Sequence, residues 1–527
     1  MPMRKNKAAC EGFPQARQWL ISAVACFCLT GCAVGPDYHP AAMNVPKGFA
    51  AAATATKPAK SARPASQPVI DAANWWKRLH DPELDSLVDR AVKGNQDIEI
   101  ALNRMQEARM QEIVVMGGAL PEAGIDIGGG AGTGSDLARG RAADPMVAAE
   151  DTGKFQQITH IAGFDSGWEL DLFGKYRREM EAAKYDTETA LAARNAVLIA
   201  VIADVARSYV DMRAAQMQLL VLQKNEGNLQ DYLTLTQERY NRGITNELDV
   251  TLAQRQLAGL QAEKAPLIAQ IHAAQYVIAV LLGQFPENLA KELEKPGMLP
   301  QLPQKIETGL PLDLLRRRPD IREAERSVAA ATARIGVAEA DLFPHVSLTG
   351  GAGYQGGVGV NTGAPDFIWS VGPSVSWSLL DFGALDALVD IADLRTKEML
   401  ANYKQTVLNA VREVDTAIVS YTAQQDRLRS LDRALTASQR AVSIANQRYD
   451  RGLTDSLNVI DAERQEYDLE EQYVSSQQSA AEQFISLYKA LGGGWEKYQS
   501  FPPPPHPRPA IVAAFASLFR SHNLQQN

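Results

Sequence analysis

The chain has few of the side chains that build disulfides and metal centres. All four of its cysteines lie within the first 32 of its 527 residues, so the remainder has no thiol pair for a disulfide. Its seven histidines are scattered, without the ligand spacing of a zinc site or of a two-histidine, one-carboxylate iron site. We therefore expect no disulfide-stapled domain, no metal centre and no bound cofactor.

Positive charge and long apolar runs are also scarce. The sequence has 53 Lys and Arg against 62 Asp and Glu, and its formal net charge is -9. Because contacts to phosphates need clustered Lys and Arg, this balance argues against a nucleic-acid partner. No segment after residue 32 offers an uncharged apolar run of about 20 residues, so we expect no transmembrane helix there. Such a chain crosses a membrane only as strands of a closed barrel.

Residues 1–31 have the parts of a signal peptide. Basic residues between Arg4 and Arg17 precede an apolar run, Trp19–Leu29, that is too short to span a bilayer comfortably. The ending Leu-Thr-Gly-Cys32 resembles a bacterial lipobox. The resemblance implies cleavage before Cys32, an S-diacylglycerol group on its thiol and an N-acyl group on its amine. The alternative is a signal peptide that contains a cysteine by chance.

A tether is predicted to follow the cleavage site. Residues 32–75 are rich in Ala, Pro, Ser and Lys, which is typical of an extended segment with little helix or strand preference. Ala33, rather than Asp, follows the cysteine, and by resemblance to other lipoproteins this favours sorting to the outer membrane.

The rest of the chain contains an internal duplication. The segment Arg239–Val250 recurs as Arg448–Val459, at an offset of 209 residues. Two glycine pairs keep the same offset: Gly174 with Gly383, and Gly283 with Gly492. A register without gaps over this length indicates a duplicated structural unit.

Each copy has the pattern of a helical hairpin. A Gly followed by Thr and by Asn or Asp lies between two long segments, which predicts a helix C-cap and then a new N-cap. The turn alone is equally consistent with an ordinary helix–helix connection. We predict helical hairpins over 175–283 and 384–492, whose first arms approach 100 Å at about 1.5 Å per residue. Because these arms have few large apolar residues, they need neighbouring helices, as in a helical barrel.

Two strand hairpins precede the helical ones, over 121–172 and 344–381. Between Ile158 and Leu172 apolar residues alternate with polar ones, and the segment Phe367–Leu379 repeats this pattern. The length of the strands and their aromatic residues suit a barrel wall in lipid, with a soluble sandwich sheet as the alternative. Pro373 is awkward for a central strand.

These patterns divide the chain. A helix capped by Asp81, with a break near Gly94, opens the first repeat, and an offset of 223 residues relates this region to the second repeat. The predicted units are repeat 1 over 76–285, a proline-marked linker over 286–311, repeat 2 over 312–494, and a Pro-rich tail over 495–527. The predicted fold class is α+β.

Four strands cannot close a barrel, and an open sheet edge is not tolerated in lipid. Three chains would supply twelve strands and twelve helical arms, which points to a homotrimer, although other multiples would also close.

The lipobox, the segment Leu310–Ile321 and the two Arg-Tyr-x-Arg-Gly hairpins together resemble outer membrane factors of the TolC-like type, in their lipoprotein (NodT-type) branch. The resemblance implies a trimeric outer membrane β-barrel continuous with a periplasmic α-helical barrel and a mixed equatorial domain. It also implies a periplasmic adaptor and an inner membrane pump of the resistance-nodulation-division type as partners in tripartite efflux.

The same resemblance implies a gate at the helix tips. Leu457, Asp461 and Arg464 share one helix face and match gate positions of related channels, and Asp249 is expected to pair with a basic group across the hairpin. The residues expected to dock the adaptor at the two tips are Arg239, Tyr240, Gly243, Arg448, Tyr449 and Gly452.

Other functions are less well supported by the sequence. A Gly-x-Gly-x-x-Gly pattern at Gly351–Gly356 lies in a predicted strand and loop, with no helix behind it to bind phosphate, so we expect no enzyme. Two alternatives to efflux stay open: the exit duct of a type I protein or peptide secretion system, and a structural lipoprotein without a channel. The sequence does not identify the exported substrate.

Overall fold

The computed structural model describes residues 33–43, 46, 48–50, 72–133, 156–303, 317–358, 366–454 and 456–499. The predicted signal peptide, the predicted lipidation site Cys32 and the tail beyond residue 499 lie outside the described residues.

Helices dominate the fold, with one sheet between them. The helices are α1 (Pro82–Gly94), α2 (Gln96–Gly118), α3 (Lys175–Asn241), α4 (Glu247–Leu281), α5 (Pro286–Leu293), α6 (Pro319–Ala340), α7 (Ala384–Asp450) and α8 (Ser456–Ala490). The strands are β1 (Glu122–Thr133), β2 (Gln156–Leu170), β3 (His345–Val358) and β4 (Asp366–Ser376). Short 3-10 turns at Trp75–Leu79 and Glu496–Tyr498 flank the two repeats.

The two repeats have matching dimensions. The helices α3 and α7 each span 67 residues, and the returning helices α4 and α8 each span 35. Asp81 caps α1 by accepting hydrogen bonds from the backbone N–H groups of Glu83 and Leu84, and α1 ends at Gly94 as expected. The hairpins predicted over 175–283 and 384–492 are therefore present.

The glycines at both hairpin tips end their helices in the same way. Gly243 and Gly452 have φ values of 72° and 67°, a left-handed conformation that costs glycine little. The Gly243 N–H donates to the Tyr240 carbonyl and the next N–H donates to the Arg239 carbonyl, which is a Schellman motif. The second tip repeats both bonds.

The sheet is antiparallel in the order β1-β2-β3-β4, and its register repeats the sequence offsets. Glu122 lies opposite Gly167 in the first hairpin, and His345 lies opposite Ser376 in the second. These positions differ by 223 and 209 residues, so the two hairpins pair identically. The Trp168 indole N–H donates to the Ala119 carbonyl at 3.1 Å, and Trp377 donates to Leu342 at the same distance.

One face of the sheet is apolar across all four strands, which confirms the predicted alternation. A row of facing positions runs from Ile125 through Phe164 and Ala352 to Trp369. The large apolar side chains on this face are exposed, and none of the described residues forms a layer over them. Glycines, serines and carboxylates make up most of the opposite face, which also carries Thr349 and Ile368. Pro373 lies within β4, opposite Leu348 of β3, so the strand forms despite the proline.

The core lies where the long arms pass the ends of the two repeats. The Trp75 ring stacks on Tyr488, with centroids 5.8 Å apart and planes inclined by 14°, and Phe484 packs against both rings. These three side chains are fully buried. The first turn of repeat 1 and the last turns of α8 therefore share one aromatic cluster.

Three features differ from the sequence-based expectations. The segment predicted as a linker, 286–311, includes α5, whose Leu289 and Leu293 are fully buried. The predicted tether is bound to the body where it is described, since Phe49 is buried and residues 33–37 contact α3. An 18-residue apolar window in α3 has the length and composition of a membrane span. Of that window, 56% is buried inside the protein, so its apolar side chains belong to the core.

Candidate functional site at the hairpin tips

The tips of the two helical hairpins lie side by side at the end of the molecule opposite the sheet. The Arg239 guanidinium lies 4.7 Å from the centroid of the Tyr449 ring, and it also donates a hydrogen bond to the Tyr449 hydroxyl. This contact joins α3 of repeat 1 to α7 of repeat 2. It brings together two of the six residues predicted to form the docking tips.

The predicted gate residues share one face at the start of α8. Leu457 is 59% exposed, although it is a large apolar residue. The Arg464 guanidinium donates to the Asp461 carboxylate at 3.1 Å, and the Gln465 amide donates to the other carboxylate oxygen at 2.8 Å. The Asp461 side chain remains about half exposed, so its charge is available to a neighbouring chain.

Asp249 does not make the predicted contact within one chain. The Thr245 hydroxyl donates to its carboxylate, and its backbone N–H donates to the Asn246 side chain at 3.1 Å. Among the described residues Asp249 makes no ion pair. The N-terminus of α4 explains this, because Asp249 lies in the first turn, where a carboxylate is favoured by the helix dipole.

A groove between α3, α7 and α8 lies behind the tips, and sequence reasoning missed it. Its volume is about 400 Å³, and its wall carries the carboxylates of Asp231, Glu463, Glu466 and Glu470. Lys224, also in the wall, bridges two of them, with its Nζ 2.8 Å from Glu470 and 3.8 Å from Glu466.

Two groups in the groove are poorly satisfied within one chain. Burial raises the pKa of the Glu463 carboxyl, and the charge of Glu466 raises it further, while a hydrogen bond from Asn446 lowers it. The Tyr232 side chain is 8% exposed, and its hydroxyl has no hydrogen-bond partner among the described residues. An unpaired buried hydroxyl is costly, so Tyr232 is a locally unfavourable feature of the groove wall.

A second site, also missed by the sequence analysis, holds the chain immediately after Cys32. The buried Arg178 guanidinium donates to the carbonyls of Val34 at 3.0 Å and Gly35 at 2.9 Å, and to the Asp37 carboxylate at 2.8 Å. The Val34 N–H donates to the Phe173 carbonyl at 3.0 Å. Residue 33 is thereby fixed beside the start of α3, next to the end of the sheet.

The sequence is similar to known outer membrane components of pumps. The family model described as "Outer membrane efflux protein" matches residues 87–284 and 310–493, well over half of the chain. Nodulation protein T of Rhizobium leguminosarum bv. trifolii is 29% identical over 473 residues, covering 89% of this chain and 95% of the relative. The antibiotic efflux pump outer membrane protein ArpC of Pseudomonas putida is 29% identical over 488 residues, covering 90% and 95%.

Solved structures share the fold. The outer-membrane channel OprN superposes with a TM-score of 0.76 and 35% identity, covering 88% of this chain and all of that one. A structure of CusC superposes with a TM-score of 0.72 and 25% identity over the same shares. The predicted α+β fold of TolC-like channels is confirmed, and the chain belongs to the outer membrane efflux protein family.

Proposed function

We propose that the protein is a channel-tunnel lipoprotein of the outer membrane. It passively exports substrates that an inner membrane pump and a periplasmic adaptor deliver. One observation carries this proposal: a sheet with an exposed apolar face stands at one end of helical hairpins about 100 Å long. The sheet suits lipid, and the hairpins are long enough to reach far into the periplasm.

The proposed assembly is a homotrimer. One chain supplies a four-stranded sheet whose outer strands, β1 and β4, each have one edge without a partner strand among the described residues. Because open sheet edges are not tolerated in lipid, the edges must meet those of other copies. Three chains give a twelve-stranded barrel and a tunnel of twelve helical arms.

The proposed gate lies at the α8 tip. In a symmetric trimer, the exposed Leu457 side chains form an apolar ring and the Asp461 carboxylates form a charged ring one turn away. The Arg464–Asp461 ion pair holds each carboxylate in place within its own chain. Opening then requires the α8 helices to separate, which the adaptor would drive by contacting the tips.

The groove behind the tips is the proposed adaptor contact. Its four carboxylates outnumber its one lysine, and the Tyr232 hydroxyl lacks a partner among the described residues. A basic helical segment of the adaptor would complement this charge. Reversal of Glu463 and Glu466 to Lys should weaken binding of purified adaptor, measured by surface plasmon resonance.

The proposed lipid anchor is consistent with the Arg178 contacts. They fix the residue after Cys32 at the end of the sheet, so acyl chains on Cys32 would enter the same membrane as the barrel wall. Mass spectrometry of the mature protein tests this proposal, because triacylation adds a defined mass and substitution of Cys32 by Ser removes it.

Efflux is tested in a strain that lacks its own outer membrane factors. Expression of this chain with a cognate adaptor and pump should lower the accumulation of a fluorescent pump substrate. A conductance in planar bilayers without restored efflux would support a channel but argue against the tripartite role. Absence of conductance from correctly folded trimers would overturn the channel itself.

A further inference from the structure

We propose that the proline-rich segment Phe501–Pro509 docks as a polyproline II helix in an exposed aromatic pocket of the same chain, where α4 meets α5. The segment begins two residues after Gln499, the last residue that the structure describes. Its binding surface lies at the end of α4 opposite the hairpin tip. The contact is therefore separate from the proposed gate and from the proposed adaptor groove.

The pocket lies at the turn between α4 and α5. Its volume is about 370 Å³, and it is lined by Tyr276, Phe285, Pro286, Glu287 and Ala290. The Phe285 ring is 79% exposed and Tyr276 is 47% exposed. Two aromatic rings beside a proline form a surface of the type that binds extended proline-rich segments.

Local structure does not account for the exposed ring of Phe285. This residue precedes α5 as its N-cap, but its side chain makes no capping hydrogen bond. The apolar side of α5 faces away from it into the body, because Leu289 and Leu293 are fully buried. A segment that covers Phe285 and Tyr276 would remove apolar surface from water, which favours docking.

The segment after Gln499 has the composition of a polyproline II helix. Six of the nine residues from Phe501 to Pro509 are proline, with four in succession at Pro502–Pro505. Proline fixes φ at about −65° and has no backbone N–H, so such a run favours this extended conformation before it binds. Little conformational entropy is then lost on docking, and this is why aromatic pockets recognise such segments.

The last described residues hold the chain close to α5. The Tyr498 hydroxyl donates to the Asp89 carboxylate at 2.7 Å, and the Lys497 amine donates to the same carboxylate at 2.9 Å. The next residue of α1, Arg90, donates two hydrogen bonds to Glu292 of α5, at 3.0 and 2.8 Å. Neighbouring residues of α1 thus bind both the end of the described chain and α5.

The proline-rich segment is long enough to reach the pocket from this position. Glu292 lies six residues after Pro286, so the pocket is about 9 Å farther along α5. At ~3.1 Å per residue, the nine residues of Phe501–Pro509 extend about 28 Å. The prolines can therefore pass along α5 and cover the two exposed rings.

The charges of the segment and the pocket are complementary. From residue 500 to residue 527 the sequence contains Arg508 and Arg520 but no Asp or Glu. Glu287 is exposed in the pocket wall, in the first turn of α5. Docking of the prolines on the rings would bring Arg508 within reach of this carboxylate.

Photocross-linking in the full-length protein in its membrane identifies what covers the pocket. Phe285 is replaced by p-benzoylphenylalanine, which keeps an aromatic ring there and reacts with groups in contact with it. After irradiation and proteolysis, mass spectrometry should find the label on a peptide from residues 500–509. The intact product should migrate as a single chain under denaturing conditions.

Charge variants test the role of Arg508 in the same experiment. Arg508→Glu should lower the cross-linking yield about two- to fivefold, as expected for an exposed ion pair, and adding Glu287→Arg should restore it. Arg520→Glu, outside the proline-rich segment, is the matched control and should leave the yield unchanged. An equal loss in Arg508→Glu and Arg520→Glu would refute the pairing of Arg508 with Glu287.

Other products would identify other occupants. A product of two chains, in which a second copy covers Phe285, would overturn the proposal. Attachment to another protein, or to this chain outside residues 500–509, would overturn it too. Absence of any product would do the same, because a docked segment lies in contact with the ring.

Hydrogen exchange provides a second measurement that needs no label. A chain that stops after Gln499 should exchange the amides of residues 290–293 in α5 several-fold faster than the full-length chain. Equal exchange in the two chains would contradict docking. The channel role is tested separately by conductance, so failure of the docked segment leaves that role untouched.

Discussion

Arg239 of the first repeat stacks on Tyr449 of the second, with the guanidinium 4.7 Å from the ring centroid. The same Arg-Tyr dipeptide occurs at residues 448 and 449, so the arginine of one copy meets the tyrosine of the other. The two tips have nearly the same sequence, but the contact between them joins the arginine of the first tip to the tyrosine of the second. The contact lies at the turns of the two hairpins, where separation of the arms would begin.

Substitution Arg239→Ala should favour the open state of the channel. A cation–π contact at an exposed site contributes about 0.5–1 kcal/mol, so we expect the open-to-closed ratio to rise about two- to fivefold. Single-channel recording in planar bilayers measures this ratio. Arg448→Ala removes the equivalent arginine of the other copy and is the matched control. An equal effect of the two substitutions would show that charge at the tips, rather than this contact, sets the ratio.

The double variant Leu457→Ala and Asp461→Ala should raise passive leakage through the helical end. The first change removes the proposed apolar ring, and the second removes the carboxylate that Arg464 and Gln465 hold in place. Leakage is measured as conductance without an adaptor. The control is Leu248→Ala with Leu252→Ala, at the equivalent positions of the first repeat. A conductance equal to that of the unmodified protein would show that these α8 residues do not form the gate.

Much of this fold could be predicted because its patterns are local and repeated. The alternation in Phe367–Leu379, the glycine caps and the offset of 209 residues each depend on neighbouring residues alone. The groove could not be predicted in this way. Tyr232 and Glu463 are separated by more than 200 residues, and the long arms have too weak a periodicity to show which sides meet.

The same limit applies to the short elements. Eight residues with two buried leucines, as in α5, do not establish a helical period. The partner of Arg178, Asp37, lies 141 residues away in a segment whose composition indicates an extended tether. The sequence thus shows which segments are helices and strands, whereas distant side chains decide where the tether and the groove form.

Substitution Tyr488→Ala should destabilise the core strongly. The ring is fully buried against Trp75 and Phe484, and removal of a large buried side chain costs about 3–5 kcal/mol. Tyr488→Phe should cost less, about 1.5–3 kcal/mol, since it keeps the ring and loses the charge-assisted hydrogen bond from Arg78. Urea denaturation followed by tryptophan fluorescence measures both. Tyr240→Ala, at an exposed tip residue, is the control. An equal loss of unfolding free energy in Tyr240→Ala and Tyr488→Ala would show that the aromatic cluster does not stabilise the core specifically.

Substitution Arg178→Ala should release the segment after Cys32. Its guanidinium holds two backbone carbonyls and the Asp37 carboxylate. Because such charge-assisted bonds contribute about 1.5–3 kcal/mol, hydrogen exchange at the backbone amides of Val34, Gly35 and Asp37 should accelerate about tenfold or more. Arg177→Ala is the control, because this neighbouring arginine donates to Asp171 instead. In this variant, hydrogen exchange in the segment after Cys32 should be unchanged. Equal protection of residues 34–37 in both variants would show that other contacts hold this segment.

Substitution Glu482→Gln should reduce the pH dependence of stability where α8 packs on α3. Burial raises the pKa of the Glu482 carboxyl, and its hydrogen bond to Asp211 raises it further, whereas Gln478 and Arg207 lower it. The Gln478 amide donates to both carboxyl groups, at 2.9 Å to Asp211 and at 3.0 Å to Glu482. The pair is therefore most stable when it retains one proton.

The sign of the effect follows from this raised pKa. Below the ordinary pKa of 4.5, Glu482 is protonated in both the folded and the unfolded chain, and the stability contributed by its protonated form is fully present. As the pH rises from 4.5 toward the raised folded-state pKa, the unfolded chain loses this proton while the folded chain keeps it, so the free energy of unfolding falls. The unfolding midpoint of the unmodified protein should therefore decline relative to that of Glu482→Gln as the pH rises above 4.5. Glu226→Gln is the control, because the hydrogen bond from Lys264 lowers the pKa of Glu226. The unfolding midpoint of the unmodified protein should therefore rise, relative to that of Glu226→Gln, as the pH rises. A difference between Glu482→Gln and the unmodified protein that stays constant with pH would refute the shared proton.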